Sequence, residues 1–596
     1  MEIFSCSSMK NPLQHKFHTY IYWIELLLIP IILSACTKSE KSIFESPNLI
    51  LEENGGLFLP DGFIATPVVN QLEGKARHLA INVNGDIYVK LRHPHDLGGN
   101  AVLRDLNGDN IADSILYFGV YPFHGGYGTA MRIYNGYLYY SSQTTVYRQK
   151  LIPGQMLPES TIETVVDEDN ERKSREHIAK PLAFDDKGNI YVPFGAPSNA
   201  CQDPKRTPGA PGLDPCPQLE KFGGIWKFDA NRLNQLQEDG EKFATGIRSV
   251  VALDWDKSNH TLYTVMHGRD DLLRLFPEHF SPWESAMLPS EEFLKVTEGS
   301  DFGWPYCYYD QLINKKVLAP EYGGDGTIVG RCDSFGNPIM GFPGHWAPND
   351  LLFYKGTQFP ERYTKGAFVA FHGSTNRAPY PQAGYFVGFI PFENGMPTGA
   401  VEIFVDGFAR VDTIQNVRDA VFRPMGLAEG PDGSLYISET EKGAIWKIEF
   451  KGQKENFSSK HLLKMQMRKN LPHFKTPDIT LDNLQLNESP EAQIYNIYCA
   501  TCHQPDGNGD GARFPPLAMS EWVTGDKETL IGIVLNGIEG EMQVRDRTYN
   551  NVMPRHDFLS DAQIAEVLTY IRRKFNNNAS EITQEEVNQV RNSPSL

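Results

Sequence analysis

One pattern recurs through the middle of this 596-residue chain: an apolar strand, a turn of Asn or Asp with Gly, then a second strand carrying an aliphatic residue followed by tyrosine. It is clearest at 78–89 (HLAINVNGDIYV), 181–192 (PLAFDDKGNIYV), 251–264 (VALDWDKSNHTLYT) and 425–437 (MGLAEGPDGSLYI), and weaker at 130–140 and 345–353. Alternating apolar residues around such turns form hairpins. Hairpins repeated at variable spacing predict a β-propeller, since each needs neighbours on both sides to bury its faces. Six copies between residues 56 and 450 allow about 65 residues per blade, against the ~40–45 that blades commonly use. The excess must lie in long loops, and loops on a rigid scaffold are where sites are built. A two-sheet sandwich is the competing arrangement, but it uses shorter spacings.

The chain is too long for one core. Its net charge of -18 argues against a nucleic-acid partner. At the N-terminus, Lys10 and Lys16 precede an apolar run at 26–33 (LLLIPIIL) that is short for a bilayer span. Leu33-Ser34-Ala35-Cys36 follows and resembles a bacterial lipobox. Residues 1–36 are therefore expected to be a lipoprotein signal, with Cys36 the lipidated first residue and a plain cleaved signal the alternative. Residues 37–55 read as a tether. The expected location is the cell envelope of a bacterium, on a membrane through the lipid anchor and facing the periplasm or exterior. Of the remaining cysteines, Cys201, Cys216, Cys307 and Cys332 are an even set in an exported chain. Three connectivities are possible, and proximity favours Cys201–Cys216 with Cys307–Cys332.

Cys499-Ala500-Thr501-Cys502-His503 has the spacing that attaches a c-type haem: two thiols for the porphyrin vinyls and a histidine for the iron. A zinc or redox CxxC is the other reading, and the adjacent histidine disfavours it. Residues 451–487 carry no strand pattern and read as a linker. Ser489-Pro490-Glu491 opens a helix into Cys499, and 561–574 is an amphipathic helix with Ser560 before it. Residues 578–596 read as a polar tail. Met553, followed by Pro554, lies 50 residues after His503. With the Leu559-Ser560-Asp561 stretch, this makes residues 488–577 resemble a class I cytochrome c. That resemblance implies His503 and Met553 as iron ligands, with Met542 and Met519 as alternatives, and a haem suited to electron transfer.

Several arginines stand beside glycines in the propeller loops: Gly246-Ile247-Arg248, Gly268-Arg269-Asp270-Asp271, the run 372–377 ending in Arg377, and Arg423-Pro424-Met425-Gly426. Convergent buried arginines suit an anionic ligand. Through these segments residues 56–450 resemble the sorbosone, pyranose and soluble glucose dehydrogenases that use pyrroloquinoline quinone (PQQ). The resemblance implies an all-β six-bladed propeller, here followed by the small all-α cytochrome domain. It implies His177, beside Glu176, as the general base that takes the hydroxyl proton. It implies Arg248 over the quinone carbonyls, Arg377 and Arg423 on PQQ carboxylates, and the main chain of Gly268 and Arg269 on calcium. Trp304 is either a rim residue or core. The chain departs from the family at Ser249, where asparagine commonly follows the arginine. Asp105 to Asp113 reads either as a calcium loop or as an Asx-rich turn. The function expected is oxidation of a sugar, sugar aldehyde or polyol, with electrons leaving through the haem to an external acceptor. The alternatives are a sugar-binding propeller tethering a cytochrome relay and, more weakly, a propeller hydrolase.

Overall fold

The computed structural model describes residues 53–121, 128–168, 174, 176–478 and 488–593. The signal segment, Cys36 and most of the 37–55 tether lie outside the described residues. Six sheets follow one another along the chain, each built on four antiparallel strands, three of them with a short fifth strand. Their first strands are Ala76–Ile81, Met131–Tyr134, Ala183–Phe184, Val250–Asp256, Pro348–Phe353 and Pro424–Glu429. These are blades 1 to 6 of a propeller, and the six repeats of the sequence fall on them in order. The ring is closed by the N-terminal strand Phe63–Val69, which pairs antiparallel with Ile445–Phe450 and supplies the last strand of blade 6.

Each blade packs between two others, and this explains the aliphatic–tyrosine pair. Successive side chains of a strand point to opposite faces. Leu138, Ile190, Leu262 and Leu435 lie in the core shared with the preceding blade, while Tyr139, Tyr191, Tyr263 and Tyr436 lie in the core shared with the following one. Ile87 and Tyr88 of blade 1 divide in the same way. A fully buried side chain of this size contributes roughly 1.5–3 kcal/mol, so the pair holds both junctions of a blade. Blade 5 carries Ala367-Phe368 at these positions, facing blades 4 and 6 respectively. The smaller residue and the missing tyrosine are why its repeat is weak.

Two segments differ from expectation. The stretch 451–478 is no loose linker. It lies along the propeller as a strap: Met465 enters the junction of blades 4 and 5, the Trp283 indole donates to the Pro477 carbonyl at 2.9 Å, and buried His473 meets Asp406 at 3.1 Å. The stretch expected as a polar tail forms the helix Gln584–Asn592, capped by Thr583. Its Val587 is fully buried and Arg591 pairs with Asp561 at 2.6 Å, so it belongs to the C-terminal domain.

That domain is helical. Pro490–Tyr498 crosses Asp561–Arg573, and Lys527–Asn536 and Gln584–Asn592 pack beside them around one core. Ser560 caps its helix by accepting the Gln563 amide, whereas Ser489 occupies an N-cap position without a side-chain bond.

Candidate functional site

Loops from blades 3, 4 and 5 meet around Asp270. Its carboxylate accepts from Arg248 at 2.8 Å and from the Asn376 amide at 2.5 Å, with Arg206 at 3.5 Å. Arg206 extends the network to Glu176 at 3.1 Å and Asp271 at 2.5 Å, and Asp271 pairs with Arg274 at 2.7 Å. Burial alone would raise the Asp270 pKa, but Arg248 and Arg206 overcome it and hold the group ionised, well below the usual carboxylate range.

His177 stands next to this network in a left-handed backbone conformation (φ 51°), which commits the turn to one shape. Its Nδ1 meets the Ala196 carbonyl at 2.7 Å. A carbonyl only accepts, so Nδ1 carries the proton and Nε2 keeps its lone pair. Burial, reinforced by the Arg248 charge, holds the imidazole pKa well below its ordinary value, so the ring is neutral. The approach is close: a Cβ at Gly195 would lie 2.2 Å from the His177 carbonyl oxygen, so only glycine fits there. These features suit a base that removes a proton at Nε2.

Arg248 is buried and fully engaged. It donates to the Asn199 carbonyl at 3.2 Å, the Asn199 amide oxygen at 2.8 Å and the Gly268 carbonyl at 2.7 Å, besides Asp270. Asn199 was missed in the sequence because nothing local marks it. It lies two residues before the Cys201–Cys216 disulfide, which closes a loop of 15 residues and anchors this stretch. Trp304 is 4% exposed, packs against that disulfide and donates to the Asn199 carbonyl at 2.9 Å, so it is core and no rim residue. The second bridge joins Cys307 to Cys332. Substituting Cys201 and Cys216 by serine should cost about 3 kcal/mol for a loop of this length, read from denaturant melts. It should also weaken any ligand held by Arg248, because Asn199 loses its fixed position.

The arrangement fits an anionic cofactor better than a calcium ion. Arg377 is 1% exposed, has no carboxylate partner among the described residues, leaves its Nε without a hydrogen bond there, and is pushed by burial down to about 10. An interior guanidinium without a counter-charge is costly unless an anion joins it. Arg423 is held over the His372 and Gly373 carbonyls at 3.2 and 2.5 Å. With Arg92 and Arg77 it outnumbers the Glu441 carboxylate, 3.7 Å from Arg423 and 3.3 Å from Arg92, and together with burial the three arginines keep His372 neutral. By contrast, the Gly268 carbonyl expected to ligate calcium already accepts a guanidinium. Among the described residues, no cluster of three His, Cys, Asp or Glu is arranged for a metal ion. The carboxylates of 105–113 are taken up by backbone amides, Asp105 alone receiving those of Asn107, Gly108 and Asn110, as in an Asx-rich turn.

Buried neutral histidines set an acid limit on stability. His78, His177 and His372 all have pKa values depressed in the folded state, burial being the first cause of each. Their contribution is present above the unfolded value near 6.5 and is lost as pH falls toward the folded values, because only the unfolded chain takes up those protons. Glu291 and Glu439, raised by burial to about 7 and about 6, act oppositely, losing their contribution as pH rises through those values. Three groups outweigh two, so unfolding free energy should fall on acidification from pH 6.5 to 5.5 in denaturant melts.

In the helical domain, Cys499 and Cys502 are unpaired. His503 is buried, and its Nδ1 donates to the Pro515 carbonyl at 2.9 Å, leaving Nε2 for a metal. Met553 packs on the same core as Cys499 and exchanges main-chain bonds with Ile538, whereas Met519 is 58% exposed. The donor set therefore suits a covalently held haem. The attachment segment faces the propeller site directly. Asn416 donates to Asp506 at 3.0 Å and to the Gly509 carbonyl at 3.1 Å, and Arg418 to the Asn508 carbonyl at 2.8 Å. A cavity at the seam is lined by Asp271, Arg274 and Asn376 on one side and Asn496, Ile497 and Thr501 on the other.

Comparison with known proteins agrees with both halves. Cytochrome c-552 of Thermus thermophilus is 39% identical over 97 residues, 16% of this chain and 65% of that protein. The fructose dehydrogenase cytochrome subunit of Gluconobacter japonicus is 32% identical over 111 residues, 17% of this chain and 21% of that subunit. The chain thus spans less than two-thirds of these curated relatives. Among solved structures, the iodide structure of the Trichoderma reesei family AA12 enzyme aligns at TM-score 0.54 and 19% identity, covering 66% of this chain and 98% of that one. The holo pyranose dehydrogenase PQQ domain of Coprinopsis cinerea aligns at 0.52 and 18%, covering 66% and 97%. At these identities the likeness is one of fold. The cytochrome c family matches residues 492–574 and the TrAA12-like family matches residues 58–451, more than half of the chain, which therefore belongs to the TrAA12-like family with a cytochrome c domain fused behind it.

Proposed function

We propose that this chain is an exported quinohaemoprotein dehydrogenase, oxidising a sugar, sugar aldehyde or polyol in the propeller and passing the electrons through haem c to an external acceptor. One observation carries the reading: the haem-attachment segment lies against Asp271, Arg274 and Asn376, on the loops that join Asp270 and, through it, Arg248. The ion pairs Glu176–Arg206–Asp271–Arg274 run from one to the other. A redox donor and a one-electron relay belong at such a distance, and a binding module would have no use for it.

PQQ, when bound, supplies the two-electron acceptor. Arg377 and Arg423 would hold its carboxylates, with Arg248 beside its polar edge, positioned by Asn199. His177 takes the substrate hydroxyl proton at Nε2 while Ala196 fixes its ring, and Asp270 keeps Arg248 in place. No step is assigned to calcium, because the Gly268 carbonyl is committed to Arg248. The signal pattern ending at Cys36 supports export and a lipid anchor. The full bonding of Arg248 favours a second reading, in which the propeller binds a sugar without a quinone. The two separate on one experiment. Purified protein is titrated with PQQ, then given a panel of aldoses and polyols while the haem absorbance is followed. Reduction that depends on both PQQ and a sugar supports the dehydrogenase. Absence of PQQ binding favours the second reading.

A further inference from the structure

The seam between propeller and cytochrome domain holds a buried polar atom with no hydrogen-bond partner among the described residues. Arg274, on the short propeller helix Leu272–Leu275, is 5% exposed; one terminal nitrogen pairs with Asp271 and the other, Nη1, makes no hydrogen bond. His556, from the cytochrome side, is 6% exposed, with its ring against the main chain of Pro554 and Tyr498. The two residues act on one another, and Arg274 acts on the sulfurs of both Cys499 and Cys502. Arg274 also lines the seam cavity opposite Thr501, which lies between those cysteines. Buried donors are ordinarily paired. A buried guanidinium with one terminal nitrogen unpaired beside two haem-attachment thiols marks where another group contributes the partner.

We infer that the propeller supplies part of the haem environment: Arg274, with His556 opposite, borders the haem carried on Cys499 and Cys502, and Arg274 with Asp271 sets its reduction potential. The inference rests on the reading that those cysteines carry haem c. A fixed positive charge near the iron favours the reduced state, a negative one the oxidised state, and a protein seam screens either far less than water does. The propeller charges would thereby tune the relay that drains its own site, and the two members of the Asp271–Arg274 pair act with opposite sign.

The test uses the full chain and reads haem directly. Covalent haem is first quantified by pyridine haemochrome, and the haem is then titrated spectroelectrochemically. R274Q is expected to lower the ratio of reduced to oxidised haem at fixed ambient potential by about tenfold, a shift of about 59 mV for one electron. D271N is expected to move it the other way by several-fold, and R274K to stay within a factor of two of the parent. If R274Q does not fold, the opposed behaviour of D271N and constancy of R274K still decide. An unchanged potential in D271N and R274Q, or shifts of the same sign, overturns the inference, since loosening of the seam alone would move both variants together. A parent protein without covalent haem would fail the first assay and overturn the underlying haem reading as well.

Discussion

Alanine in place of His177 should abolish sugar-dependent reduction of the haem, with a loss of 10²–10⁴-fold in kcat as general-base removal typically gives, while PQQ still binds. Nothing in the structure asks His177 to hold the cofactor. Its one ring bond goes to the Ala196 carbonyl, and the arginines that face an anion come from other loops. The lost group is therefore the proton acceptor, and the effect should fall on kcat more than on cofactor affinity. His177→Gln should be nearly as inactive, because an amide fills the space without a basic nitrogen. The pH profile provides an independent check. A free imidazole would lose its base function on acidification through about 6.5. His177 is held neutral by burial and by Arg248, so the rate should stay level through that pH and fall only further into acid. Arg248→Gln would relieve the second of those causes and bring the acid limb upward. Stopped-flow traces of haem reduction across pH would read both. A His177→Ala protein that reduces its haem within a few-fold of the parent rate would refute the assignment.

What could be read from the sequence divides along physical lines. The propeller was legible because each blade buries both faces, which forces the aliphatic–tyrosine pair into nearly every copy; blade 5 faded when Ala367-Phe368 replaced it. The haem segment was legible because its chemistry needs fixed local spacing. The strap and the last helix were not. Met465 and His473 are single buried contacts in polar surroundings, and Gln584–Asn592 buries little beyond Val587, so neither leaves a periodic signal. The site network escaped for another reason. Asp270 is joined to Asn376 across 106 positions and Arg206 to Asp271 across 65, and no local pattern carries such pairings. Trp304 was ambiguous because a tryptophan on a glycine turn serves equally as a lid or as packing, and only the neighbouring disulfide decides for core.

Removing the haem should separate the two halves of the reaction. In the double variant Cys499→Ser/Cys502→Ser no thioether forms. Electron delivery to a large external acceptor, such as a cytochrome, should be lost by at least a hundredfold, because the electrons would have to pass from propeller to acceptor without the relay. Turnover with a small soluble dye in the presence of PQQ and sugar should survive within several-fold. The reason lies in the cores. The six junctions between blades draw on residues from the propeller and the strap, and none uses a side chain beyond Phe474. The helical domain keeps its own core around Tyr495, Ile531 and Leu568. Its grip on the propeller runs through Ala378, which packs on that core, and through the polar contacts of Asn416 and Arg418 with the loop after His503, and these residues are not His177 or Arg248. A parallel loss of dye-linked turnover and relay, with the propeller still folded by circular dichroism, would mean that the haem domain helps to build the oxidising site. In that case Arg206 and Asp271 would be the first residues to suspect, since they bridge Glu176 to the arginine at the seam.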